Sequence, residues 1–161
     1  LILIGGPSEH FGWDEAGLLA QLEDILAATP AMRWTLTTSR RTPASTEAAL
    51  EPLRARGLDL RPFRDTAPGW AMQELARSAE AWVSEDSVSM VYESLSAGAA
   101  TGLLAVPRLA RSRVSEGVAM LIADGLVTPF AAWQTSHRLT PPPTPLAEAD
   151  RVAREILRRW G

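Results

Sequence analysis

The chain opens on a short unbroken apolar run, Leu1-Ile2-Leu3-Ile4, that stops at Gly5-Gly6-Pro7-Ser8, the pattern of a buried strand entering a tight turn. Asp14 is then placed to cap a helix whose apolar positions are Leu18, Leu19, Leu22, Ile25 and Leu26, and Thr29-Pro30 ends it. Residues 32–38 are β-branched and apolar enough for a second strand, closed by Ser39-Arg40-Arg41-Thr42-Pro43. A second helix is predicted over 44–56, stopped by Gly57, and a third strand over 58–63. The alternation continues with helices at 71–78, 88–97 and 114–123 and strands at 81–84 and 102–106. After the stiff linker Pro141-Pro142-Pro143-Thr144-Pro145, a last helix is expected over 146–160.

Strands separated by helix-length segments predict an α/β fold, a Rossmann-like three-layer sandwich with a parallel sheet, helices on both faces and right-handed crossovers. There is no internal repeat. A chain of 161 residues, 46% hydrophobic and 22% charged, fits a single domain with its own core.

Composition narrows the chemistry. The absence of cysteine excludes disulfides, thiol catalysis and cysteine-based metal sites, and it fits a reducing compartment and a cytoplasmic location. All 16 basic residues are arginine, so mechanisms that need a lysine, including phosphate-loop nucleotidases and Schiff-base enzymes, are excluded. A net charge of −3 argues against nucleic acid as a partner. No apolar run approaches the roughly 18 residues that a membrane-spanning helix requires. The chain starts at Leu1, inside an apolar run and without an initiator Met, so a preceding segment is expected.

In a sheet of this kind ligands bind beyond the carboxyl ends of the strands, which singles out three polar segments. Gly5 and Gly6, followed by Ser8, allow a close backbone approach to a ligand near a helix start. Ser39, Arg40 and Arg41 place two guanidinium groups where they would neutralise a diphosphate by forked hydrogen bonds. In the third segment, residues 84–98, Asp86 or Ser87 is suited to cap a helix, and the amides of Val88 and Ser89 would present positive dipole to a phosphate. Ser89 and Glu93 are four apart and share a helix face, so the Glu93 carboxylate is placed to accept both hydroxyls of a ribose. Like charge argues against direct phosphate contact by Glu85 and Asp86, which are assigned to capping and loop hydrogen bonds.

Other site chemistries lack support. His10 and His137 are the only histidines and are far apart, so no metal site is expected. Neither Ser8 nor Ser87 lies in a Gly-x-Ser-x-Gly nucleophile elbow.

Taken together, Gly5-Gly6-Pro7-Ser8, the segment Thr37-Thr38-Ser39-Arg40-Arg41-Thr42-Pro43, and Glu85-Asp86-Ser87-Val88-Ser89-Met90 with Glu93 and Gly98 resemble the mitochondrial-fission Elm-type proteins. This group is related to glycosyltransferases of the GT-B fold. The likeness is distinctive from Leu1 to about Val106 and looser through Trp160. Residues 87–107 are more distantly similar to the donor-site segment of GT-B enzymes such as the lipid II N-acetylglucosaminyltransferase. There, a glutamate followed five residues later by glycine binds the nucleotide's ribose.

The resemblance implies one half of a GT-B architecture, the nucleotide-sugar-binding domain, with an N-terminal acceptor domain missing from this chain. By position it implies ribose binding by Glu93, diphosphate binding by Ser87, Val88 and Ser89, and a turn at Gly5 and Gly6 facing the diphosphate. Arg40 or Arg41 would stabilise the leaving diphosphate. The implied partners are a nucleotide sugar and the N-terminal domain, with no further cofactor, and any peripheral membrane contact falls to that missing half. The chain departs from the usual pattern at Gly98-Ala99-Ala100-Thr101-Gly102, which replaces a Gly-x-Pro turn before the fifth strand. A non-catalytic interaction module and a nucleotide-sugar epimerase on the same fold are the competing expectations.

Overall fold

Alternation within the first four residues already divides the molecule into layers. In the computed structural model, which describes residues 1–109 and 113–142, Ile2 and Ile4 face one side of the sheet and Leu1 and Leu3 the other. The elements in chain order are β1 (Ile2–Leu3), α1 (Glu15–Ala28), β2 (Thr35–Thr37), α2 (Ala44–Leu50), β3 (Asp59–Arg61), α3 (Trp70–Leu75), β4 (Glu80–Ser84), α4 (Val88–Ser96), β5 (Ala100–Leu104), α5 (Arg113–Ala123), β6 (Thr128–Pro129) and α6 (Phe130–Ser136).

The six strands form one all-parallel sheet in the order β3-β2-β1-β4-β5-β6. The chain starts at the centre, builds outward to β3, and returns to the other side of β1 with β4. One face of the sheet packs Ile2, Leu36, Leu60 and Trp82 against Leu18, Leu22 and Ile25 of α1, Leu50 of α2 and Trp133 of α6. The opposite face packs Leu3, Ala81, Val83 and Leu103 against Leu75 of α3, Val91 and Leu95 of α4 and Val118 of α5. This is the expected Rossmann-like three-layer α/β fold.

Local chemistry explains the element ends. Asp14 caps α1 by accepting a hydrogen bond from the Gly17 amide at 3.0 Å. Gly57, at φ 91°, halts the second helical segment in a left-handed cap. That segment is not one α-helix over 44–56: α2 ends at Leu50 and tightens to a 3-10 helix over Glu51–Arg56, where Pro52 has no amide to donate. The second strand begins at Thr35, because the chain is still turning at Met32, whose amide bonds the Thr29 carbonyl. At the end of β5, the Gln21 side chain substitutes for a neighbouring strand. It accepts from the Ala105 amide at 2.7 Å and donates to the Ala105 carbonyl at 3.0 Å.

Two elements lie beyond what the sequence pattern predicts. β6 is two residues long and ends in a proline, and α6 follows it at once. The expected helix over 146–160, and the linker from Pro143 onward, lie outside the described residues.

Candidate functional site

The strand order reverses between β1 and β4, so the loops that follow these two strands flank a crevice at the carboxyl edge of the sheet. Hydrogen bonds lace the two loops together. The Gly5 amide donates to Ser84 Oγ and the Gly6 amide to Asp86 Oδ2, both at 2.8 Å. Both glycines are required by space: a Cβ on Gly5 would stand 2.1 Å from Asp86 Oδ2, and one on Gly6 2.2 Å from the Arg41 carbonyl oxygen.

The loop after β2 closes over the same turn. Thr42 Oγ1 donates to the Gly5 carbonyl and accepts from the Ser39 amide at 2.8 Å, while Ser39 Oγ accepts from the Arg41 amide at 3.2 Å. Arg41 is thereby directed back across the β1 loop. Its Nη1 donates to the carbonyls of Gly6 at 2.6 Å and Pro7 at 3.3 Å, and its Nη2 to Asp86 Oδ2 at 2.8 Å. Arg40 takes a separate course, with its guanidinium 5.3 Å from the centre of the Phe63 ring.

Helix α4 starts at the floor of this crevice. Ser87 occupies its cap position, but the serine side chain makes no capping bond and Asp86 is engaged with Gly6 and Arg41. The first amides of the helix, from Val88 onward, have no intrahelical acceptor by position and carry the positive end of its dipole. Ser89 is exposed and Val88 partly covered. Glu93, one turn further along, is half-buried, and desolvation raises its carboxyl above the usual value. Burial also raises Glu85, partly offset by Arg108, whose Nε lies 3.2 Å from Glu85 Oε2.

The expected residues do not all meet at one point. Ser39, Arg40 and Arg41 line one cleft of about 330 Å³ with Phe63 and Met90, and Asp86 joins Gly5, Gly6 and Arg41 to the start of α4. Ser8 stands apart from these contacts, its Oγ accepting from the His10 and Phe11 amides within its own turn. Among the described residues, no group of three His, Asp or Glu is placed to hold a metal ion.

A larger cleft of about 480 Å³ adjoins the first and shares Arg40, Phe63 and Met90 with it. Its walls add Thr38, Pro68, Trp70 and Met72. Thr38 ties the loop after β3 in place, accepting from the Phe63 amide at 2.9 Å and donating to Glu47 at 2.7 Å. Of its lining residues the sequence singles out Arg40, with Thr38 and Met90 in the segments that carry the resemblance. The signal for the rest lies in Gly69-Trp70-Ala71-Met72, a helix start where Trp70 is only partly buried against the core and Met72 is 47% exposed.

A family model described as Mitochondrial fission ELM1 matches residues 1–160. No curated protein and no solved structure gives a match.

Proposed function

The chain belongs to the mitochondrial fission ELM1 family, and we propose that it binds a nucleoside diphosphate, the donor end of a nucleotide sugar, at the crevice between β1 and β4. The reading rests chiefly on one observation. The uncapped start of α4, the Gly5-Gly6 turn and Arg41 converge at the point where the strand order of a parallel sheet reverses.

Each part of the ligand has a matching surface. The diphosphate meets the α4 amides at Val88 and Ser89 and the guanidinium of Arg41, and the ribose hydroxyls meet ionised Glu93. The base enters the apolar cleft bounded by Phe63, Trp70 and Met90. In a GT-B glycosyltransferase this half stabilises the leaving diphosphate while a second domain supplies the acceptor and the base. The chain by itself then binds without turning over.

One observation favours a non-catalytic interaction module instead. The Gly5 and Gly6 amides, the usual phosphate donors of such a turn, are already bonded to Ser84 and Asp86. Thermal unfolding with UDP, GDP, ADP and CMP at about 1 mM, beside Glu93→Ala, separates the two. A site with a Kd of about 10 μM stabilises the fold by roughly 2.7 kcal/mol, or about 5 to 10 °C in Tm. A shift with one nucleotide that disappears in Glu93→Ala supports the donor site, and no shift with any nucleotide supports the module.

A further inference from the structure

Asp86 Oδ1 is the one side-chain nitrogen or oxygen, among the described residues, that is fully buried without a hydrogen-bond partner. The Asp86 carboxylate has no exposed surface, and its Oδ2 serves both Gly6 and Arg41. A carboxylate so removed from water is costly to leave without a cation beside it.

Arg41 is therefore not an ordinary solvated surface arginine. Three bonds pin it, to Asp86 and to two carbonyls of the β1 loop, yet its side chain is 42% exposed. A guanidinium carries more N–H donors than these three bonds use, and Arg41 lines the cleft formed with Ser39, Arg40, Phe63 and Met90.

Resting on the nucleoside diphosphate reading above, we infer that Asp86 is a positioning residue. It never touches the ligand. It holds the Arg41 guanidinium on the lip of the β1 loop so that its remaining donors face the diphosphate at the start of α4. Seen from the cleft, the Asp86–Arg41 pair is nearly neutral, so its contribution is direction more than net charge, and fixing that direction before binding removes an ordering cost. The two adjacent arginines then take different tasks: Arg41 the diphosphate, and Arg40, stacked on Phe63, the base side of the cleft.

The test is calorimetric titration of the chain with UDP, GDP, ADP, CDP, their nucleosides and inorganic pyrophosphate. Wild type is compared with Asp86→Asn, Arg41→Ala, Arg41→Lys and the Asp86→Asn/Arg41→Ala double variant. The best diphosphate ligand is expected to bind about tenfold or more weakly to Asp86→Asn and to Arg41→Ala, with the double variant no weaker than Arg41→Ala. Binding of the matching nucleoside stays unchanged throughout. Asp86→Asn also exposes a net positive charge, so its diphosphate binding becomes more salt-dependent, a change that loss of a merely structural contact does not produce.

An Asp86→Asn protein that melts earlier but binds diphosphate as wild type does, with the same salt dependence, overturns the inference and leaves the nucleotide reading intact. Wild-type protein that binds none of the diphosphates overturns both. If Asp86→Asn does not fold, Arg41→Lys decides: it keeps the charge but lacks the planar fork, so undiminished diphosphate affinity overturns the inference and a loss of tenfold supports it.

Discussion

Gly102 of β5 lies opposite Trp82 of β4 in the parallel register, and a Cβ at position 102 would stand 2.5 Å from the indole ring. The fully buried indole packs edge-on against Trp133, at 5.2 Å and 88°, and against Phe130. The glycine supplies the space that lets β4 carry its largest side chain towards α6. Gly102→Ala is expected to overpack this contact and cost about 1–3 kcal/mol, a fall in Tm of several degrees. At Gly117, inside α5, an alanine methyl would meet nothing within 4 Å beyond its own helix, so Gly117→Ala is expected to stabilise by about 0.5–1 kcal/mol. Calorimetric melting of the two variants checks both signs.

Gly5→Ala tests the lacing of the β1 and β4 loops. The added methyl would displace the Asp86 carboxylate, separating it from the Gly6 amide and from Arg41. Breaking a buried ion pair costs about 3–5 kcal/mol, less here because Arg41 is partly exposed. Both Tm and nucleotide affinity are expected to fall. Gly12→Ala is the control, since its Cβ would first meet Leu109 Cδ2 at an ordinary 3.4 Å. Equal behaviour of the two variants would show that the loops adjust without the Asp86 contact.

The raised carboxyls give the fold a pH signature. Burial lifts Glu93, and more than offsets Arg108 at Glu85, above the ordinary value of 4.5. In the window above 4.5 the folded chain retains protons that the unfolded chain has released, so stability falls as pH climbs through the raised values. Glu93→Gln removes its share, and the expected result is a flatter dependence of Tm on pH over that window. If ionised Glu93 holds the ribose, nucleotide binding to the wild-type chain weakens as pH falls through the same range, and Glu93→Gln binds poorly at every pH. Titrations across the window would expose a steeper Tm profile or unchanged affinity, either of which contradicts this account.

Thr46 links the first two helices through a partly buried relay. Trp13 Nε1 donates to Thr46 Oγ1 at 2.8 Å, and that hydroxyl donates to Glu15 Oε2 at 2.7 Å. Thr46→Val keeps the shape but strands the indole N–H, at an expected cost of about 1–2 kcal/mol. In a Trp13→Phe background the same substitution should cost much less, because no donor is left unpaired. Chemical denaturation of the four proteins of this cycle measures the coupling.

The layers and most of their punctuation are legible in the local pattern of residues. The unbroken apolar run at Leu1, Ile2, Leu3 and Ile4, the helical face from Leu18 to Leu26, the Asp14 cap and the Gly57 stop are instructions read by near neighbours. They are written in residues a few positions apart. The Gly5-Gly6 turn and the polar segments at Ser39 and Ser87 were legible for the same reason, as were their places at the ends of strands.

The remainder depends on contacts between residues far apart in the chain. β6 has two residues and a proline, too short for any periodicity, and becomes a strand because Gly102 and Leu103 offer it pairing partners. Arg40 and Arg41 are chemically identical neighbours in the sequence. They separate in their contacts because Asp86, 45 residues away, comes beside one of them when β4 inserts next to β1, while the other lies against Phe63. Such contacts depend on strand order, and strand order is settled when the whole sheet closes its cores on both faces.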